Sequence, residues 1–410
     1  MSADPLYEAF LTLEAELLRL WQSAQLLTPA DIGVQLRSAL ISKIQQQLEH
    51  LNYLRETYEG RLLPLREAMK SQPRLRSDYQ RLYGAIREGI MHIRASLDVL
   101  TRIYGDICSH LIILQRGDEQ MRKTKLFLDS YLKEIVAECQ TLSELACEQV
   151  ICLLSREYAS TGIFIDEGVF LVSMPIYDLT QLWLWPILSH EIGHMVFYEI
   201  HDRLDGLRLL RRIARALRSS AVERRRRDTV SEYIAYWSNY WLREFCADLI
   251  GLSLAGPSFS IALMNNLLSH PGGFYTGVSP THPTPEARIA AQTMFLNMID
   301  IPKDLKHAVK ARCEALSEGL GRRVGEEADY PFTKDALELV VSAVYRGLNR
   351  HPPIVDRIGE IHDCYRALCE GEICTEDPFV LVNSLALLPQ KEDLIPKVLE
   401  AITADRRSPP

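Results

Sequence analysis

The chain has 410 residues, 47% hydrophobic and 24% charged, enough to bury sizeable cores in two or three domains and too apolar for a disordered protein. Its net charge of −8 and pI near 5.8 leave no overall basic footprint for nucleic acid. No run of eighteen apolar residues occurs, so no transmembrane helix is expected, and Met1-Ser2-Ala3-Asp4-Pro5 opens no secretory signal.

Residues 1 to 150 are rich in Leu, Glu, Gln and Arg and poor in Gly. Apolar residues recur there at spacings of three and four, as in Leu13, Leu17 and Leu20 or Ile86, Ile90, Ile93, Leu97 and Leu100. That is the period of amphipathic helices. Interruptions at Thr28-Pro29, Leu63-Pro64, Ser71-Gln72-Pro73 and Arg116-Gly117-Asp118 divide the segment into about four helices packed as a bundle. Such a bundle either covers a catalytic core or offers a partner or sensor surface.

Beyond residue 150 the character changes. From Thr161 to Ser173, β-branched and aromatic residues surround Asp166-Glu167-Gly168, which predicts a small hairpin. A strand before a metal-binding helix can form the edge on which an extended peptide pairs, and Gly168, Val169, Phe170, Leu171 and Val172 are the candidates; a purely structural hairpin fits the same pattern. Asp178 is read as the N-cap of the following helix, and Pro186 as its kink or fresh start.

That helix carries His190 and His194 four residues apart, so both imidazoles leave one face and reach one metal ion, with Glu191 beside them. Ile187, Leu188, Ile192, Met195, Val196 and Phe197 predict burial on most sides, where two histidines and a carboxylate are costly without a partner. An ion is such a partner. Held by three protein ligands, Zn2+ keeps one position for water and lowers its pKa toward about 7, and a neighbouring carboxylate then takes the proton.

Next, Arg203, Arg208, Arg211, Arg212, Arg215, Arg218 and Arg224 to Arg227 interleave with Leu207, Leu209, Leu210, Ile213, Ala214 and Leu217, predicting a basic amphipathic helix and a polybasic loop. The commonest use of such a run is a solvated face. The alternatives are contact with an acidic substrate, nucleic acid, an anionic membrane surface or a regulatory protein partner, or a removable lid over the cleft, with partner or lid ahead of nucleic acid because no aromatic residues are interleaved. In Trp241-Leu242-Arg243-Glu244-Phe245-Cys246-Ala247-Asp248, Glu244 is the candidate third ligand. Asp248, one turn later, is placed to hydrogen-bond the free ring nitrogen of a ligating histidine, His190 first.

Together, His190-Glu191-x-x-His194 and Glu244-x-x-Ala247-Asp248 resemble the gluzincin metallopeptidases, most closely the branch of the CAAX prenyl endopeptidases and bacterial heat-shock zinc proteases. That branch also carries a downstream His-Pro element ending in Arg-Ile. Two stretches resemble it, Thr281-His282-Pro283-Thr284-Pro285-Glu286-Ala287-Arg288-Ile289 and His351-Pro352-Pro353-Ile354-Val355-Asp356-Arg357-Ile358. His282 follows Glu244 by 38 residues, close to the family's arrangement, and His351 by 107, so distance favours the first. The resemblance implies that His282 helps hold the oxyanion of the tetrahedral intermediate and that Arg288 braces Glu244 or the cleft wall. It covers roughly residues 150 to 295; the family's membrane helices are missing and the arginine-rich insertion is extra.

After residue 300, helices are expected over Asp304 to Leu320, Thr333 to Leu348, Ile354 to Leu368 and Leu394 to Thr403, with connections at Gly319 to Gly325 and Pro352-Pro353. His351 and His362 are read as ordinary core or surface histidines. Nine cysteines without a Cys-x-x-Cys pair indicate reduced thiols, neither a disulfide framework nor a second zinc site.

The expected protein is therefore mainly α with a small β-sheet (α+β), built as a helical bundle (1–150), a zincin-like catalytic domain (151–300) and a C-terminal helical region (301–410). The expected activity is that of a cytoplasmic zinc endopeptidase acting on protein or peptide substrates. One Zn2+ sits on His190, His194 and Glu244, Glu191 is the base, and the enzyme is latent if residues 203–227 block its cleft. The competing expectation is a non-catalytic zinc-containing scaffold acting through its N-terminal helices. Glu191 weighs against it, because structural zinc needs no adjacent base.

Overall fold

The structure, a computed structural model, describes residues 4–28, 32–142, 149–156, 158–162, 168–200, 202–223, 229–269, 279–320, 331–373, 377–388 and 394–403. It is mainly helical with one three-stranded sheet, as the composition and periodicity predict. It divides into two compact units, one of residues 1–116 with 163–169, the other of 117–162 with 170–410.

In the first unit, α1 (Pro5–Leu26), α2 (Val34–Thr57) and α4 (Arg76–Arg116) turn their apolar stripes inward. Leu13, Leu17 and Leu20 on α1, Leu36, Leu40 and Ile44 on α2, and Ile93, Leu97 and Leu100 on α4 are all buried. The ion pairs Arg55–Glu14 and Arg94–Glu16 lie at the surface of this core. Asp4 caps α1, accepting from Leu6 N. The expected break at Leu63-Pro64 does not occur: α2 continues through a π-turn (Tyr58–Leu62) into α3 (Leu63–Met69), and Pro64 occupies a first-turn position that needs no N–H.

The second unit begins with α5 (Glu119–Leu142), so the change of unit falls at Gly117 rather than near residue 150. Of its strands β1 (Gln149–Ser155), β2 (Ala159–Thr161) and β3 (Val169–Pro175), the last lies in the middle of the sheet, in the order β1-β3-β2. β2 and β3 are antiparallel, Ala159 opposite Ser173 and Thr161 opposite Leu171. A hairpin therefore exists, but its first strand is β2; the proposed turn residues Asp166 and Glu167 lie outside the described residues. The central place of β3 limits the expected edge: β2 pairs with it over Leu171 to Ser173, so Leu171 and Val172 are flanked by a strand, whereas Gly168 precedes β3.

Asp178 ends a short 3-10 turn and does not cap the metal helix; it accepts from the Tyr158 hydroxyl at 2.8 Å and Gln181 Nε2 at 3.0 Å. Pro186 lies in a second 3-10 turn, Leu182–Ile187, from which α6 (Leu188–Ile200) starts afresh. Then come α7 (Gly206–Glu223) and α8 (Val230–Tyr236), the latter passing through a π-turn, Trp237–Trp241, into α9 (Leu242–Ala255). Apart from Arg243, α9 is buried along its whole length, as its all-round apolar sequence requires.

Helices α10 (Pro257–Ser269), α11 (Pro285–Met298), α12 (Lys303–Leu320), α13 (Lys334–Gly347), α14 (Ile354–Cys369), α15 (Pro378–Leu387) and α16 (Ile395–Thr403) complete this unit. Among the described cysteines, 108, 139, 152, 246, 313 and 369 are free, whereas Cys364 is disulfide-bonded. This corrects the expectation of thiols throughout and weakens the inference of a reducing compartment. No helix among the described residues is long and apolar enough to cross a membrane. The polybasic loop Arg224 to Arg227, Cys147 and Cys374 lie outside the described residues.

Candidate metal centre

Helices α6 and α9 form the most extensive helix pair among the described elements. They meet main chain to main chain. A Cβ on Gly193 would come within 2.4 Å of the Ala247 carbonyl oxygen, and one on Gly251 within 3.0 Å of His190 N. Each helix thus supplies a glycine where the other helix's backbone presses closest: at Gly193 a side chain would clash outright, and at Gly251 the neighbouring main chain would have to give way.

This approach brings the expected ligands together. His190 Nε2 lies 3.5 Å from Glu244 Oε2 and His194 Nε2 3.6 Å from Glu244 Oε1, and the ligand atoms of the three residues all lie within 4.8 Å of one another. The rings of His190 and His194 are 4.6 Å apart, edge to face. The donor set, two imidazole nitrogens and a carboxylate, suits Zn2+. Glu244 Oε2 is buried and faces only His190 Nε2 at 3.5 Å and His282 Nε2 at 3.8 Å, a cluster of electron-rich atoms that a cation would satisfy.

Charge leads to the same conclusion. Glu191, Glu244, Asp248 and Arg288 are all buried. Three carboxylates and one guanidinium leave two negative charges without a counterion, and a divalent ion cancels both. Without an ion, protons do part of this work. Burial pushes the His190 imidazole down, but the hydrogen bonds to Asp248 and Glu244 outweigh it and raise its pKa to about 10. His194 moves the other way, to about 3, through burial and the neighbouring His190 charge. Burial would raise the Glu244 carboxyl, yet His190 and His194 hold it at about 2.

Around these ligands lies a fixed support. Asp248 Oδ1 is 2.8 Å from His190 Nδ1, as expected from its place one turn beyond Glu244. Arg288 on α11 grips the same carboxylate with both arms of its fork, Nε to Oδ2 at 2.6 Å and Nη2 to Oδ1 at 2.6 Å. Against the desolvation that would raise it, Arg288 holds the Asp248 carboxyl well below its ordinary value. Arg288 therefore braces Asp248 rather than Glu244, and its Nη2 also lies 3.5 Å from His190 Nδ1. Thr284 caps α11 and so fixes where Arg288 emerges.

His282 Nε2 stands 3.8 Å from Glu244 Oε2 on a side chain that is 62% exposed. Its ring is steadied by Thr281 Oγ1, 3.0 Å from Nδ1, and its segment by the Trp241 indole, which donates to the Ser279 carbonyl at 2.9 Å. The alternative pair is engaged otherwise: His351 Nε2 with Asp356 at 3.0 Å, and Arg357 with Asp377 at 2.7 Å and over the Phe379 ring. Geometry thus selects His282 and Arg288. Sequence reasoning missed Gly193, Gly251 and Trp241. A glycine inside each of two apolar helices was the available signal, since it is costly there without a packing reason.

No protein-family model matches the chain, and no curated protein or solved structure is significantly similar to it.

Proposed function

We propose that the chain is a zinc-dependent endopeptidase of the gluzincin type, with His190, His194 and Glu244 as ligands. The observation that carries this reading is the convergence of those three side chains within 4.8 Å, with buried Glu191 next in sequence to His190. A bound Zn2+ supplies Lewis acidity, lowering the pKa of water and polarising the scissile carbonyl. Glu191 accepts the proton as the water oxygen bonds to the carbonyl carbon. As the C–N bond breaks, it passes that proton to the leaving amine. His282, exposed beside Glu244, is placed to donate to the developing oxyanion. With β3 in the centre of the sheet, the edge strand β2, which packs against α6, replaces it as the rail for an extended peptide.

The test is Glu191→Gln, with zinc measured by plasma mass spectrometry and turnover on casein. The variant is expected to keep one zinc and to lose turnover by a factor on the order of 10^3. Full turnover with zinc bound would remove Glu191 as base. Zinc-loaded wild type that cleaves neither casein nor any protein in a cell extract, judged by new N-termini, would favour the scaffold instead.

A further inference from the structure

The helix α7 packs on α13, and between them run two adjoining cavities of about 520 and 450 Å³. Arg212 and Arg346 line both; Arg215 lines the first, and Arg203 and Arg208 the second. In a chain of net charge −8 this is a local concentration of cations. Against these five arginines the same cavities carry three carboxylates, Asp205, Asp335 and Glu338, which leaves a surplus of two positive charges. Arg208 reaches Asp205 only at 4.0 Å, Arg215 donates to the Arg211 carbonyl, and Arg203 donates to the Leu142 carbonyl. Arg212 and Arg346 have no ion pair among the described residues. All five arginines are exposed and open to an incoming ligand.

From these observations we infer that the groove between α7 and α13 binds an extended, acidic stretch of polypeptide. Spacing supports this. Arg208 and Arg212 are about 6 Å apart along α7, close to the roughly 6.6 Å at which an extended peptide presents every second side chain to one face. The walls also bear carboxylates, Asp205, Asp335 and Glu338. These accept hydrogen bonds from backbone N–H groups, which a polypeptide brings and a phosphodiester or polyphosphate chain lacks. No aromatic side chain lines either cavity, so nucleic-acid bases would find nothing on which to stack. The inference stands whether or not the metal centre cleaves peptides.

The experiment is fluorescence anisotropy of the full-length protein with a labelled octapeptide carrying Glu at alternate positions. The same peptide with Gln, single-stranded DNA and inorganic polyphosphate serve as comparisons. The Glu peptide is expected to bind best and to weaken with salt. Arg212→Glu with Arg346→Glu should lower its affinity about tenfold or more. Arg211→Glu with Arg218→Glu, an equal charge change on α7 outside both cavities, should alter it less than about twofold. Circular dichroism checks folding, and Arg212→Gln with Arg346→Gln replaces the reversal if it unfolds the chain. Equal losses in the two pairs, no binding of the Glu peptide, or tighter binding of DNA or polyphosphate would each overturn the inference.

Discussion

The two compact units solve the problem of burial differently. Within residues 1–116, His110 is the only polar or charged side chain buried among the described residues, and charge otherwise appears in surface pairs such as Arg55–Glu14. The second unit withdraws His190, Glu191, Glu244, Asp248 and Arg288 from solvent in one place. Apolar helices need no such arrangement in order to pack. Where a chain buries charge that its core does not require, that charge marks a candidate site, because burial is costly without a compensating partner. The first unit is explained by its hydrophobic stripes alone.

The comparison can be broken hardest at Arg288. Arg288→Ala leaves the Asp248 carboxylate buried without its bidentate partner, and should destabilise the second unit by about 3–5 kcal/mol while weakening zinc binding. Chemical denaturation and competitive zinc titration measure both effects; unchanged stability would show that solvent reaches Asp248. A loss of similar kind but different consequence is expected from Ile93→Ala, in the fully buried stripe of α4. It should cost about 2–5 kcal/mol in the first unit and leave one zinc per chain. Loss of the zinc would mean that the units do not fold separately.

The smallest effect concerns protons. Because the folded, metal-free His190 is raised from 6.5 to about 10, its stabilising contribution is complete below pH 6.5 and fades as pH rises toward 10. A metal must displace the His190 proton within that window, so zinc uptake at pH 7.5 should release about one proton. Calorimetry in buffers of different ionisation enthalpy reads this directly, and zero release would place His190 neutral in the empty site.

How much of this was legible beforehand follows from the range of each signal. The helical repeat and the spacing of His190 and His194 are local, and Asp248 one turn past Glu244 implied its contact with His190. The rank of β3 within the sheet is not local: its apolar run, Val169 to Met174, reads alike at an edge or between two neighbours. Helix α15 went unseen because Phe379 to Leu387 is apolar on nearly every face, which erases the contrast that reveals a helical period. The contact of Arg288, expected with Glu244 or the cleft wall, was not legible for a similar reason, since Glu244 and Asp248 are equivalent acids in the sequence and only the approach of α11 distinguishes them.

The glycine contacts between α6 and α9 have a mechanical consequence. With carbonyl against Cα on both sides of the crossing, neither helix has the slack to slide or roll, because a shift of one residue would drive a side chain into its neighbour's main chain. The spacing of the backbone positions that carry His190, His194 and Glu244 is thus set by main-chain packing. Any breathing that admits a substrate must come from elements outside this rigid pair.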